Sequence, residues 1–251
     1  AGGTGAAGDL GAARVVSEVA TGRIYGLPAL LRQALAELRR ADTGADLPRV
    51  LLTGEIYVRL DPFANGQMAR ALAARGLRVD IESTTDFIEY SEYTARAQGA
   101  KTGPAARVER WVRERILAVA EGTLESELGW PRRGTLPQIL AAAAPYLREA
   151  LEGEAVLTVG APLLGWRRGE IDAAVLVGPL ECMPSKLADA QFIHATEREG
   201  LLTLSLPLNG ESLDPEALDA FAFEVRRRHV QRRQIRRPSP PDDLLRTASS
   251  I

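Results

Sequence analysis

The sequence predicts an α/β fold: a parallel sheet with helices on both faces and a helical insertion. Three observations carry that expectation. Four short runs rich in Val, Leu and Ile, RVLLTGEIYV, LRVDIES, IDAAVLVG and LLTLSLPL, read as buried strands. Helical runs with three- and four-residue apolar spacing or with clear caps stand between and after them. The strand–helix–strand order is that of βαβ units, whose crossovers pair strands in parallel and are right-handed.

The elements follow in order. Residues 1–10 are Gly- and Ala-rich, and fraying is expected there. LPALLRQALAELRR (27–40) is an amphipathic helix starting near Pro28, because proline is tolerated in a first turn. RVLLTGEIYV (49–58) reads as one buried strand, followed by a helix over about 64–75 that Gly76 ends. LRVDIES (77–83) is the second strand. The middle, about 84–150, holds a strong amphipathic helix over about 106–120 and a second helical run broken near Pro145. EAVLTVGAPL fits either a strand or a continued helix, and its residues do not decide between them. IDAAVLVG (171–178) is a strand, SKLADAQFIHATEREG a helix closed by Gly200, and LLTLSLPL (201–208) a strand. A last helix begins at Asp214, as N-cap, and Pro215.

This pattern is Rossmann-like or flavodoxin-like. It divides the chain into a helical lead-in (1–47), an α/β region (48–230) with its insertion at about 84–150, and a tail (231–251). The tail is polar and proline-containing and is expected to be disordered. The first residue is Ala, so a missing N-terminal part is expected.

Composition narrows the function classes. Net charge is −2, from 31 basic and 33 acidic side chains, with no global pull toward nucleic acid or membrane. No run approaches the ~20 apolar residues of a membrane span. A single cysteine precludes an internal disulfide framework and fits a reducing, cytoplasmic setting. Seven arginines crowd residues 226–237 without interleaved aromatics, which reads as a solvated helix end rather than a nucleic-acid surface. Trp111, Trp130 and Trp166 read as packing residues.

In an open parallel sheet, ligands bind outside the carboxyl ends of the strands. Three loops would meet there: TGEIYVRLDPFANG, GPLECMPS and LNGESLDP. They offer Glu55, Tyr57, Arg59, Asp61, Asn65, Cys182, Ser185, Lys186, Asn209 and Glu211. Gly54, Gly178 and Gly210 read as turn glycines, since no GxGxxG pattern is present.

Cys182 is the notable member. It lies at a strand-to-helix turn between Pro179 and Pro184, where a helix N-terminus favours a thiolate. A thiolate serves as nucleophile or metal ligand, and a buried thiol is inert. A phosphate-cradling loop fails for want of a following Arg, and a CxxC pair fails because Ser185 takes the second place. A zinc site fails on ligand count, with one Cys and two distant His, His194 and His229. His194, about three turns into the following helix, is a poor partner for Cys182.

GEIYVRLDPFANG, GPLECMPSKLADAQFIHA and LTLSLPLNGESLDPEALDAFAFEV resemble the C-terminal region of proteins related to 2-hydroxyacyl-CoA dehydratases and their activases. The resemblance spans about residues 48–228. It is nearest to the large fused type, in which an ATPase activator precedes a dehydratase-subunit-like part. It implies a component that binds a [4Fe–4S] or double-cubane cluster, reduced by the activator at low potential for chemistry on an acyl-CoA or another small substrate. It implies a cluster-ligand role for Cys182 in the turn Pro179–Pro184, with Pro184 and Ser185 beside the cofactor. Glu55 and Arg59 are the candidate catalytic residues, shaping a pocket or gating electron entry, or else forming a surface ion pair. The remaining ligands and the ATPase module would come from the same parent chain or a separate subunit, with a homodimer possible. The second reading is a non-catalytic α/β interaction module that docks an ATPase partner. A third is a transferase with Cys182 as nucleophile.

Overall fold

The structure is a computed structural model describing residues 5–41, 44–100, 103–130, 133–151 and 153–236. The chain divides into two compact units. One holds residues up to Asp46 together with Thr85–Gln138, and the other holds Leu47–Thr84 and residues from Ile139 onward.

The second unit is built on the strands. Successive side chains of a strand point to opposite faces. In β1 (Arg49–Gly54), Val50 and Leu52 enter one core while Leu51 packs against the other. In β3 (Ala173–Pro179), Ala173, Val175 and Val177 join the first core and Leu176 the second. With β2 (Arg78–Ile81) and β4 (Leu202–Leu208) they form a four-stranded sheet in the order β2-β1-β3-β4, parallel throughout. The first face is covered by α3 (Ile56–Leu60), α4 (Met68–Ala73) and α10 (Pro215–Arg236), through Val58, Met68, Leu72, Leu218, Ala222 and Val225. The second face is covered by α7 (Leu136–Ala143), α8 (Ala155–Arg168) and α9 (Met183–Glu199), through Ala143, Val156, Val159, Leu163, Ala188 and Phe192. This is the expected α/β fold with helices on both faces.

The first unit is helical: α1 (Gly5–Thr21), α2 (Leu27–Ala41), α5 (Thr85–Ala97) and α6 (Pro104–Leu128), while α7 straddles the boundary. α2 packs along α6, which starts at Pro104 and stops at Gly129 in the left-handed conformation. Arg133 ties this unit together. It pairs with Asp86, with Glu89 at 2.8 Å and with Glu121 at 3.0 Å.

Several expectations need correction. The strand expected over 49–58 ends at Gly54, because Glu55 caps a helix: its carboxylate accepts the Val58 N–H at 2.8 Å. The following helix begins at Met68 rather than 64, since residues 62–67 form a turn with Gln67 at φ 59°. EAVLTVGAPL is helix, α8, with Pro162 inside it. The Gly- and Ala-rich start is helical from Gly5, alanine's propensity outweighing glycine's cost. The tail expected to be disordered from 231 is helical through Arg236, and its remainder lies outside the described residues. The middle helices do stand between β2 and β3 in the chain, and they group largely with the lead-in helices, because α2 and α6 share an interface. Trp166 packs against the second core, but Trp111 and Trp130 are exposed rather than packed.

Candidate functional site

The strand order creates a switch point between β1 and β3. From β1 the chain crosses to β2 on one side, and from β3 to β4 on the other. The crevice outside the carboxyl ends of these two strands is where such sheets bind ligands. Glycines let its walls meet. Gly54 has φ +118°, and a Cβ there would lie 1.9 Å from the Val177 carbonyl oxygen. The Glu55 N–H donates to that same oxygen at 3.0 Å. A Cβ on Gly178 would lie 2.2 Å from Ser185 Oγ.

The wall after β1 is held by local hydrogen bonds. Asp61 accepts the Phe63 and Ala64 N–H groups at 2.8 and 3.0 Å. The Ala64 N–H, then the Tyr57 hydroxyl and the Phe63 N–H, hold the Asp61 carboxyl below its ordinary range. The Tyr57 hydroxyl is correspondingly pushed up, first by its bond to Asp61. Asn65 is buried. Its amide donates to the carbonyls of Val58 and Arg59, and its oxygen accepts the Met68 N–H at 3.0 Å. Asn65 therefore shapes the turn and does not face a ligand.

Arg59 departs furthest from its expected surroundings. It is 2% exposed, so it forms no surface ion pair, and its partners are not Glu55. Its Nη1 donates to the Gly54 carbonyl and lies 3.3 Å from Glu154 and 3.5 Å from Glu82. Nη2 reaches the Ser83 carbonyl at 3.4 Å, and Nε has no hydrogen-bond partner. Glu82 also receives the Thr53 hydroxyl at 2.5 Å. This buried network ties the ends of β1 and β2 to the start of α8. Sequence reasoning missed Glu82, Thr53 and Glu154. No local signal singled out Glu82, since LRVDIES also carries Arg78 and Asp80.

The wall after β3 carries Cys182. Its N–H donates to the Pro179 carbonyl at 3.0 Å and its carbonyl accepts the Lys186 N–H at 3.0 Å. Cys182 is thus the N-cap residue of α9, with Pro184 in the first turn. Its side chain makes no capping bond and is partly exposed. Beside it, Ser185, Lys186, Asp189 and Ser205 line a cleft of about 20 Å³ where α9 meets β3 and β4, room for one water-sized group. Cys182 does not line that cleft. Asn209 and Glu211 are exposed on the β4 loop, where Asn209 accepts the Glu211 N–H at 3.0 Å. His194 pairs with Glu197 on the exposed side of α9, ~18 Å along the helix axis from Cys182. His229 sits at 3.0 Å from Asp172, just before β3 and so at the opposite end of the sheet.

The fit to an iron–sulfur cluster is partial. A partly exposed thiol at a helix N-terminus suits a cluster ligand. Among the described residues, however, no group of three or more His, Cys, Asp or Glu is arranged to hold a metal ion. Cys182 would be the one thiolate that these residues could offer such a cluster.

Fold and rim together define an open parallel α/β protein whose one cysteine stands in the loop after β3. Comparison with protein-family models, with curated proteins and with solved structures found no match to this chain.

Proposed function

We propose that this chain is the dehydratase-subunit-like part of an ATP-driven iron–sulfur electron-transfer protein, related to the 2-hydroxyacyl-CoA dehydratases and their activators. In this reading Cys182 is one ligand of a [4Fe–4S] or double-cubane cluster. The other ligands come from residues outside this sequence, in the same parent chain or a partner subunit. An ATPase activator is the electron source, and the substrate is an acyl-CoA or another small molecule that is hard to reduce.

One observation carries the proposal. Cys182 is the uncapped, partly exposed N-cap residue of α9, in the loop after β3. The first-turn N–H groups and dipole of a 17-residue helix favour its thiolate form. The Arg59 Nη groups face carboxylates and carbonyls within the buried network. Arg59 therefore acts as a positioning residue for the β1 turn, and Glu55 as the cap of α3.

The test is iron and acid-labile sulfide in the full encoded protein purified without oxygen, beside its Cys182→Ala variant. Loss of most iron and sulfide in the variant, with the fold intact by circular dichroism, supports the proposal. Equal metal content in both sinks the ligand role.

An interaction-module reading has its own support. Tyr57, Leu60 and Phe63 on the β1 side and Leu180 and Met183 on the β3 side are exposed large apolar residues on adjacent loops. Such a rim suits a docking partner. A folded full-length protein that carries no iron but captures an ATPase through Phe63 and Met183 would favour it.

A further inference from the structure

The chain has two asparagines, Asn65 and Asn209, and a glycine follows each, Gly66 and Gly210. An Asn-Gly pair carries its own chemistry. Glycine has no side chain to screen its nitrogen, so that nitrogen can reach the asparagine carboxamide carbon and close a cyclic imide. The fold treats the two pairs differently. Asn65 is 4% exposed. Its amide nitrogen donates to the Val58 and Arg59 carbonyls at 3.0 and 3.2 Å, and its oxygen accepts the Met68 N–H at 3.0 Å. The Gly66 nitrogen, which would attack, donates its hydrogen to the Phe63 carbonyl at 3.2 Å. Both reacting groups are therefore held. Asn209 and Gly210 are exposed just after β4. The Asn209 oxygen accepts the Glu211 N–H at 3.0 Å, a turn that polarises the carboxamide. Among the described residues, neither the Asn209 amide nitrogen nor the Gly210 N–H has a hydrogen-bond partner. No atom crowds Gly210 either, since a Cβ there would meet nothing within 4 Å.

We propose that Asn209 is a self-modifying site: in the folded protein it exchanges its side-chain amide for a carboxylate by attack of the Gly210 nitrogen, while Asn65 keeps its amide. The Gly210 nitrogen gives its proton to solvent base and bonds to Asn209 Cγ. The bond from Cγ to the side-chain nitrogen breaks, and that nitrogen leaves as ammonia with a proton from water. Water then opens the imide at either carbonyl. Opening at Cγ yields aspartate, and opening at the main-chain carbonyl yields isoaspartate. The sum is asparagine plus water giving acid plus ammonia, with no oxidant or reductant. The product places a negative charge beside Glu211, in the loop after β4 at the carboxyl end of the sheet. The Leu180 N–H, in the loop that carries Cys182, donates to the carbonyl of Leu208, the residue before Asn209, at 3.1 Å. The new charge, and the extra backbone methylene of the isoaspartyl form, thus arise next to that loop. This inference does not depend on the cluster.

The test is peptide mapping by mass spectrometry of the full chain aged in neutral and in mildly alkaline buffer, beside the same chain aged in concentrated urea. In the folded chain the Asn209 peptide should gain the mass of OH in place of NH₂, and should split into aspartyl and isoaspartyl forms. The gain should be faster at the higher pH, because the attacking nitrogen must lose its proton. The Asn65 peptide should keep its amide over the same period. In urea, where the hydrogen bonds of Asn65 and Gly66 are gone, Asn65 should convert alongside Asn209. Gly210→Ala adds a methyl group beside the attacking nitrogen and should slow the conversion at Asn209. A folded chain that keeps the Asn209 amide while the urea-unfolded chain loses it would overturn the proposal. So would a folded chain in which Asn65 converts as fast as Asn209.

Discussion

At the scale of residues, the crevice rests on contacts that only certain side chains permit. Gly54→Ala places a methyl group on the Val177 carbonyl and forces an L-residue to φ +118°. It should cost about 3 kcal/mol or more, read from urea unfolding midpoints. Gly210→Ala is the control. Its φ is +89°, but nothing lies within 4 Å of the added Cβ. Its cost should stay near ~1–2 kcal/mol, the conformational part alone. Arg59→Ala would strand Glu82 and Glu154 with a cation gone from a buried network, at a cost of about 3–5 kcal/mol. The sequence offered Glu55, Arg59 and Cys182 as residues of interest by their position after strands. It did not reveal that Arg59 folds inward. A buried ion network joins residues 53, 59, 82 and 154, and no local pattern records separations of that kind.

At the scale of elements, hydrophobic period and caps carried most of the reading. Gly76 and Gly200 stand at the left-handed ends of helical segments and Pro215 opens a helix, whereas the helix expected over 106–120 runs from Pro104 to Leu128. The failures have physical causes. Periodicity cannot separate a fully buried helix from a strand, and nine residues of α8 are buried. Pro162 deepened the ambiguity. It lacks an N–H, so the Thr158 carbonyl loses its helical donor, and the Thr53 hydroxyl lies 3.3 Å from that oxygen. The hydroxyl's one proton goes to Glu82 at 2.5 Å, so its contact with this carbonyl is secondary. The packing of α9 makes a direct test. Phe192 is fully buried in the second core, whereas Ile193 is exposed. Phe192→Ala should cost about 3–5 kcal/mol, and Ile193→Ala no more than ~0.5 kcal/mol. Equal effects on the urea midpoint would mean that α9 presents a different face to the sheet.

At the scale of the whole molecule, the strand order carries the functional argument. The order β2-β1-β3-β4 brings together two loops about 120 residues apart in the chain, one bearing Glu55 and the other Cys182. The α/β class was legible because its four apolar runs and capped helices agree locally with the global fold. The grouping of the lead-in with the middle helices was not, because it depends on one helical surface meeting another across more than sixty residues. No helix among the described residues is long and apolar enough to cross a membrane. The central claim is that Cys182 ligates a reducible cluster. Its most direct test is electron paramagnetic resonance of the anaerobically purified full protein after reduction, with Cys182→Ser beside it. The account predicts an iron–sulfur signal in the wild type and a lost or shifted signal in the variant. Identical spectra from the two, or an intact wild-type protein without iron, would contradict it.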